Sequence, residues 1–256
     1  MKKTRVFLDP GHGGRDPGVV ANGMREADIA LSVCWLLETL LKSAGLEVTI
    51  SRNRDEFVAI DERVRRANAW GADLLVSIHV NGFGQPSANG TEVFVFDGDH
   101  RSARSRILAS DMLTVFVREM GTRDRGVRSD VQSQHSGGLP VLRNTQMPAV
   151  LFELAFLTAS EPAPDVHVLR NRRNGMAMAL ADGILDFLGI QAESGSEEEI
   201  MRFQKVEDVP EWAREVISWM VEKGHLRGDE KGNLNLSEDM LRTFVAHDRI
   251  GLYGKR

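Results

Sequence analysis

Residues 6–14 read Val6-Phe7-Leu8-Asp9-Pro10-Gly11-His12-Gly13-Gly14, so that a short apolar strand runs directly into a glycine-rich turn carrying a histidine. The three glycines of this turn indicate backbone positions that a side chain would obstruct. The next segment, 26–44, has the 3.6-residue apolar spacing of a helix and ends at Gly45. A strand followed by such a helix is the first unit of an α/β layer fold.

The same alternation continues along the chain as far as residue 188. Further strands are predicted at 46–51, 73–79, 91–96, 140–143 and 149–154, and further helices at 60–70, 102–120 and 166–188. Strands that alternate with helices favour parallel pairing, because each helix carries the chain back across the sheet. We therefore expect an α/β fold with a largely parallel sheet flanked by helices.

Residues 191–200 divide the chain into two parts. This segment carries Gly, Ser and a run of Glu with almost nothing apolar to bury, which is typical of a linker. We expect a catalytic domain at 1–190 and a small helical C-terminal domain at 201–256, with helices at 208–223 and 237–247. About 50 residues form a small core, so the second domain is expected to dock, oligomerise or pack two helices tightly.

Composition excludes several classes of function. The chain has 256 residues and a formal net charge of −5, which argues against nucleic-acid binding through a basic face. The lone cysteine, Cys34, lies in an apolar helical pattern and is expected to be buried and inert. No apolar stretch is long enough for a membrane span, and the apolar run after Lys3 is too short for a signal peptide.

Three residues predict a metal site at one edge of the sheet. His12 and His79 each follow an apolar strand, and the carboxyl ends of parallel strands are where sites of α/β sheets form. Glu26 begins the first long helix, where its carboxylate either serves the helix dipole or turns inward. Two imidazoles and one carboxylate would give the three protein ligands of a catalytic zinc site. Each residue alone also has an ordinary structural interpretation, and the other five histidines are expected on the surface.

Glu153 interrupts the otherwise apolar strand 148–154. Burying an unpaired carboxylate costs on the order of several kcal/mol. The Glu153 side chain therefore needs a counter-ion, a metal or a proton. One hypothesis is an ion pair with Arg143 or Arg125. The other is a general acid or base beside a metal, with a pKa raised by desolvation.

Taken together, these segments resemble the zinc-dependent N-acetylmuramoyl-L-alanine amidases of the amidase-3 type over residues 4–188. The resemblance is carried by the segments 8–14, 16–18, Glu26, 51–52 followed by Asp55, Arg63 with 67–68, 77–81, 90–94, 125–127 and 148–157.

The resemblance implies one Zn²⁺ per catalytic domain, held by His12, Glu26 and His79, with Glu153 as the catalytic glutamate. It also implies a mixed sheet of roughly six strands and hydrolysis of the amide between N-acetylmuramic acid and L-alanine in peptidoglycan. Asn81 and Arg125 are expected to contact substrate or, alternatively, to support the fold. A zinc peptidase that cuts within the stem peptide is the rival enzyme class, and a non-catalytic wall-binding protein is the rival outside enzymes.

The tail resembles a single S-layer-homology repeat, through 206–210, 212–213, 216–217, 223–228 and 237–249. Such a module implies binding to a secondary wall polymer or oligomerisation. We expect synthesis in the cytoplasm without a signal peptide and action on the wall after release through a pore or by lysis. This combination favours a phage endolysin that lyses the host cell, with a lytic amidase of the sporulating mother cell as the alternative.

Overall fold

The computed structural model describes residues 3–190, 202–229, 231–237, 240–241, 244–245 and 248. The strands are β1 (Arg5–Pro10), β2 (Val20–Ala21), β3 (Met24–Arg25), β4 (Glu47–Ile50), β5 (Leu74–Asn81), β6 (Thr91–Val95), β7 (Asp124–Ser129) and β8 (Ala149–Phe156). The helices are α1 (Glu26–Ser43), α2 (Ile60–Trp70), α3 (Ser102–Met120), α4 (Pro140–Arg143), α5 (Asp165–Asn171), α6 (Arg173–Leu188) and α7 (Glu211–Glu222).

Six strands form one sheet in the order β4-β1-β5-β8-β6-β7, and β2 and β3 form a separate short hairpin. Neighbouring strands are parallel except for β6 and β8, which are antiparallel. The prediction of a mixed, largely parallel six-stranded sheet flanked by helices is confirmed. The carboxyl ends of β1, β5 and β8 therefore lie at the same edge as the amino ends of β6 and β7.

The two faces of the sheet are covered unequally. Val76, Ile78 and Phe152 point into a large apolar core that includes residues of α1, α3 and α6. Leu75 and Leu151 point the other way, into a smaller core with residues of α2 and α4. Because side chains alternate along a strand, the polar residues that follow Leu75 and Leu151 at two-residue steps share this second face. They lie beyond the smaller core, toward the edge where β1, β5 and β8 end.

Three local predictions were wrong. Residues 140–143 form helix α4 and no strand, because Pro140 stands at the first helical position, where its missing N–H costs nothing. The helix predicted over 166–188 is two helices, α5 and α6, separated at Arg172, whose φ of −115° and ψ of 30° are not helical. The edge strand β7 was missed because Asp124–Ser129 lacks the apolar alternation of a half-buried strand.

The described part of the C-terminal segment packs against α1 and α6. Val216, Ile217 and Met220 of α7 belong to the same continuous apolar core as those helices. His225 lies between Trp35 and Trp219, with ring centroids at 5.5 and 5.3 Å, so it is half-buried and not a surface residue as predicted. The proposed linker 191–200, and part of the second predicted helix, lie outside the described residues. The division into two domains stays a prediction. Among the described residues, no helix is both long and apolar enough to cross a membrane.

Candidate metal centre

His12, Glu26 and His79 converge where β1 and β5 end. Glu26 Oε1 lies 3.1 Å from His12 Nε2 and 2.9 Å from His79 Nδ1. One nitrogen or oxygen atom from each residue falls within 4.8 Å of the other two, and this is the one such group of three found among the described residues. The three predicted ligands are therefore brought together by the fold.

Glu26 is the best-anchored member of this group. It is the first residue of α1 and is 3% exposed. Its Oε1 accepts a hydrogen bond from the Val80 N–H and its Oε2 accepts one from the Val19 N–H, at 3.0 and 2.9 Å. Burial opposes ionisation, but hydrogen bonds and charge attraction from both histidines outweigh it and hold the pKa of Glu26 well below its usual value.

His12 is oriented by a partner on its other side. Its Nδ1 lies 2.8 Å from Asp16 Oδ2, which leaves Nε2 directed at Glu26. Burial lowers the pKa of His12, but Glu26 and Asp16 raise it above its usual value overall. A carboxylate on the second nitrogen of a ligating histidine fixes the ring and increases its basicity. The donor set and its supporting carboxylate therefore fit a zinc ion.

Two glycines keep the space around these ligands clear. A Cβ at Gly11 would overlap the His79 ring, and a Cβ at Gly18 would overlap Glu26 Oε2 and lie 2.8 Å from His12 Cδ2. Gly18 also has a φ of +63°, which glycine adopts readily. Of the three glycines read from the sequence as a turn, Gly11 is therefore explained by close approach to a ligand side chain, whereas Gly13 and Gly14 lie against the backbone at Glu56 and Phe57.

Two buried arginines hold the turn that carries His12. Arg52 donates to the carbonyls of Pro10, Gly11 and Ala27, at 2.7 to 3.0 Å. Arg63 pairs with Asp9 at 2.7 Å and donates to the His12 carbonyl at 2.6 Å. Sequence reasoning gave neither arginine a role. His12 itself has a φ of +58°, which is uncommon for a residue with a side chain.

Glu153 lies on β8 directly across from His79 on β5. Its Oε2 is buried and has no hydrogen-bond partner in the described part of the chain. Burial, with added repulsion from Glu26 and Glu92, raises its pKa well above the usual value. Neither proposed counter-ion pairs with it, because Arg143 pairs with Asp130 and Arg125 pairs with Glu92.

Asn81 and Arg125 meet at a residue that sequence reasoning missed. Asn81 Nδ2 and Arg125 Nε donate to the two oxygens of Glu92, at 2.6 and 2.8 Å. Arg128 Nε also lies 3.2 Å from Glu92 Oε2. Glu92 is buried and sits directly across from Glu153 on the neighbouring strand. The signal that found Glu153, a lone carboxylate within an apolar strand, also applies to Glu92 in 91–95.

Comparison with known proteins gives consistent matches over the first three quarters of the chain. The Amidase_3 family, described as N-acetylmuramoyl-L-alanine amidase, matches residues 6–186. The uncharacterized protein YqiI of Bacillus subtilis is 44% identical over 158 residues, which are 62% of this chain and 72% of YqiI. The endolysin of Bacillus phage SPP1 is 33% identical over 196 residues, covering 74% of this chain and 68% of the endolysin.

A solved structure shows the same fold. The catalytic domain of CwlV, an N-acetylmuramoyl-L-alanine amidase from Bacillus (Paenibacillus) polymyxa var. colistinus, superposes with a TM-score of 0.65 at 32% sequence identity. The match covers 73% of this chain and 99% of the CwlV domain.

Proposed function

Because the chain belongs to the Amidase_3 family of N-acetylmuramoyl-L-alanine amidases, we propose that it uses zinc held by His12, Glu26 and His79 to hydrolyse the amide between N-acetylmuramic acid and L-alanine in peptidoglycan. The observation that carries this proposal is the position of Glu153. Glu153 is half-buried, its Oε2 is buried and has no hydrogen-bond partner in the described residues, and it stands on the strand next to His79, beside three convergent metal donors.

In this proposal Zn²⁺, when bound, supplies a Lewis acid that lowers the pKa of water and polarises a carbonyl. Glu153 accepts a proton as water attacks the scissile carbonyl carbon. It then delivers that proton to the L-alanine nitrogen as the C–N bond breaks, so the products are a carboxylic acid and a free amine. No donor in the described residues forms a hydrogen bond to Oε2, so this carboxyl group is not held in an ion pair and can take up and release a proton.

The sequence left Asn81 and Arg125 between substrate contact and support of the fold, and we assign both chiefly to positioning. Each gives a hydrogen bond to Glu92, and Arg125 also donates to the Asn89 carbonyl at 3.2 Å and lies 4.8 Å from the Phe156 ring centre. These contacts hold Glu92 beside Glu153. A direct contact of either residue with substrate stays a prediction.

The biological role we propose is that of a phage endolysin that degrades the host wall. Support comes from the likeness to the SPP1 endolysin and from the C-terminal segment, which we propose binds a secondary wall polymer. A sporulation-specific lytic amidase is the alternative role, and both roles require the same bond to be cut.

The test is digestion of purified peptidoglycan by the wild type and by Glu153→Ala, with and without a chelator, followed by mass analysis of the soluble products. We expect intact stem peptides with free L-alanine amino termini, lost on chelation and in the variant. Cut stems that remain attached to glycan would instead identify a zinc peptidase. If no wall tested gives products, wall binding by the C-terminal segment becomes the main function.

A further inference from the structure

The second face of the sheet continues from the metal centre to the edge strand β7. Glu153 on β8 pairs with Glu92 on β6, and Phe94, two residues beyond Glu92, pairs with Arg128 on β7. Residues directly across from each other on neighbouring strands share a face of the sheet. Arg128 therefore extends the same polar surface on which Glu153 stands.

Two arginines on this part of the face share one carboxylate partner. Two guanidinium groups, those of Arg125 and Arg128, lie against the single carboxylate of Glu92, at 2.8 and 3.2 Å. The Glu92 side chain is 6% exposed, whereas that of Arg128 is 35% exposed. Arg128 thus shares this carboxylate partner with Arg125, and part of its side chain reaches solvent.

Arg125 and Arg128 differ in how many guanidinium N–H groups remain free to bind a ligand. Arg125 uses both Nε and Nη1 in hydrogen bonds and lies against the Phe156 ring. Arg128 uses Nε alone, toward Glu92 and the Arg125 carbonyl, and neither of its terminal nitrogens has a hydrogen bond within the described residues. Free guanidinium N–H groups pair with a carboxylate in a planar, two-point arrangement.

The distance between β8 and β7 limits where along the substrate a carboxylate bound by Arg128 can lie. Strands lie about 4.8 Å apart, so β7 is roughly 10 Å from β8. The Arg128 side chain covers part of this distance, since its Nε reaches Glu92. An extended peptide advances about 3.3 Å per residue. The group bound by Arg128 therefore lies one or two residues beyond the scissile amide.

We propose that Arg128 forms a carboxylate-binding subsite, which selects stem peptides that carry a free carboxyl group one or two residues after the bond to be cut. This inference rests on the proposed amidase function and adds a substrate preference to it. Arg128 binds substrate in this scheme, while Arg125 keeps Glu92 in place.

The test uses the full chain and two soluble N-acetylmuramoyl dipeptides that differ at one group. In one the second residue has a free α-carboxyl group, and in the other a carboxamide. For the carboxyl substrate, Arg128→Gln should raise KM about tenfold with kcat within about twofold, as expected for loss of a charge-assisted pair near solvent. KM for the carboxamide substrate should be unchanged, and Arg128→Lys should fall between the wild type and Arg128→Gln.

Arg123→Gln is the matched control, because Arg123 is an exposed arginine just before β7. The inference is overturned if Arg128→Gln changes KM equally for both substrates, lowers only kcat, or has the same effect as Arg123→Gln. Thermal melting checks that the Arg128 variants are folded. If Arg128→Gln is not folded, the KM values of Arg128→Lys for the two substrates decide the outcome.

If the wild type cleaves neither dipeptide, the digestion of peptidoglycan described above decides the proposed function by itself. Equilibrium binding of the two free dipeptides, measured without turnover, then decides the subsite separately. Tighter binding of the carboxyl form by the wild type but not by Arg128→Gln supports the subsite, and equal binding of both forms overturns it.

Discussion

At the residue scale, the buried carboxyl group of Glu26 and the half-buried one of Glu153 lie at one site and have opposite pKa shifts. Hydrogen bonds and charge from His12 and His79 keep Glu26 ionised, although its burial opposes ionisation. Burial and the charges of Glu26 and Glu92 raise the pKa of Glu153 well above its usual value, which makes its ionised form a stronger base. Carboxyl groups whose environments separate their pKa values in this way take different chemical roles. The ionised group suits a metal ligand and the other suits proton transfer.

Glu153→Gln is expected to lower kcat by about 10² to 10⁴ while zinc affinity stays within about twofold. Because folding raises the pKa of Glu153, its protonated form stabilises the folded state at low pH, and this stability is lost as pH rises through the folded pKa. In the presence of a chelator, the melting temperature of Glu153→Gln should therefore be no lower than that of the wild type. The difference in its favour should increase as pH rises. Glu211→Gln, on the exposed side of α7, is the control, and a large loss of zinc affinity in Glu153→Gln would contradict the role assigned.

Gly18→Ala is expected to weaken zinc affinity about 10- to 100-fold, because the added Cβ displaces Glu26 and His12. Gly23→Ala is a matched control, since Gly23 has a similar φ of +70° and its Cβ would meet nothing within 4 Å. The two variants share the backbone strain of an alanine at positive φ. Equal zinc affinities, measured by competition with a chromogenic chelator, would mean that crowding at the ligands has no effect.

At the scale of elements, Arg52 joins the end of β1 to the start of α1. Its guanidinium is fully buried and donates to carbonyls of the turn and of Ala27. Arg52→Lys cannot reproduce this fork, so carbonyl groups are left without donors. We expect a loss of about 2 to 4 kcal/mol in the free energy of unfolding by urea, together with weaker zinc binding. Arg54 has a side chain that is 65% exposed. Arg54→Lys should therefore change the free energies of unfolding and of zinc binding by no more than about 0.5 kcal/mol each.

At the scale of the whole molecule, the C-terminal segment shares a polar contact with the catalytic part of the chain. Ser32 Oγ lies 3.5 Å from His225 Nδ1 and accepts a hydrogen bond from Arg173 at 2.9 Å. Burial, with the charges of Arg173 and Lys223, lowers the pKa of His225 to about 4. The docked segment thus requires this histidine to be neutral.

This requirement predicts that docking weakens in acid. The unfolded chain binds a proton near pH 6.5 and the folded chain only near pH 4, so stability is full above 6.5 and falls as pH drops between these values. The loss approaches about 3 kcal/mol at pH 4. Urea unfolding followed by fluorescence of Trp35 and Trp219 should show it. His225→Gln should remove much of this dependence and His100→Gln, at an exposed position, should keep it, so identical pH profiles for the two variants would contradict the assignment.

The sequence by itself determined the layer fold and marked four candidate residues, which the family resemblance then assigned to the proposed site chemistry. Each carries a local signal, because His12 and His79 follow apolar strands, Glu26 begins a helix and Glu153 interrupts an apolar run. Strand and helix periodicities act over a few residues, so a pattern within one segment records which side of that segment is buried. Residues 140–143 are an instance where a short apolar run fits a strand and a helix equally well.

Only the tertiary structure decided which charged groups meet. Sequence offered Arg143 and Arg125 as partners for Glu153, yet Arg143 binds Asp130 and Arg125 binds Glu92. That outcome depends on β8 lying between β5 and β6, and on β6 running antiparallel to it. His225 likewise becomes half-buried only through packing against Trp35, 190 positions earlier in the chain, and against Trp219. Such distances between remote segments follow from the packing of the whole sheet and its helices, which no local pattern records.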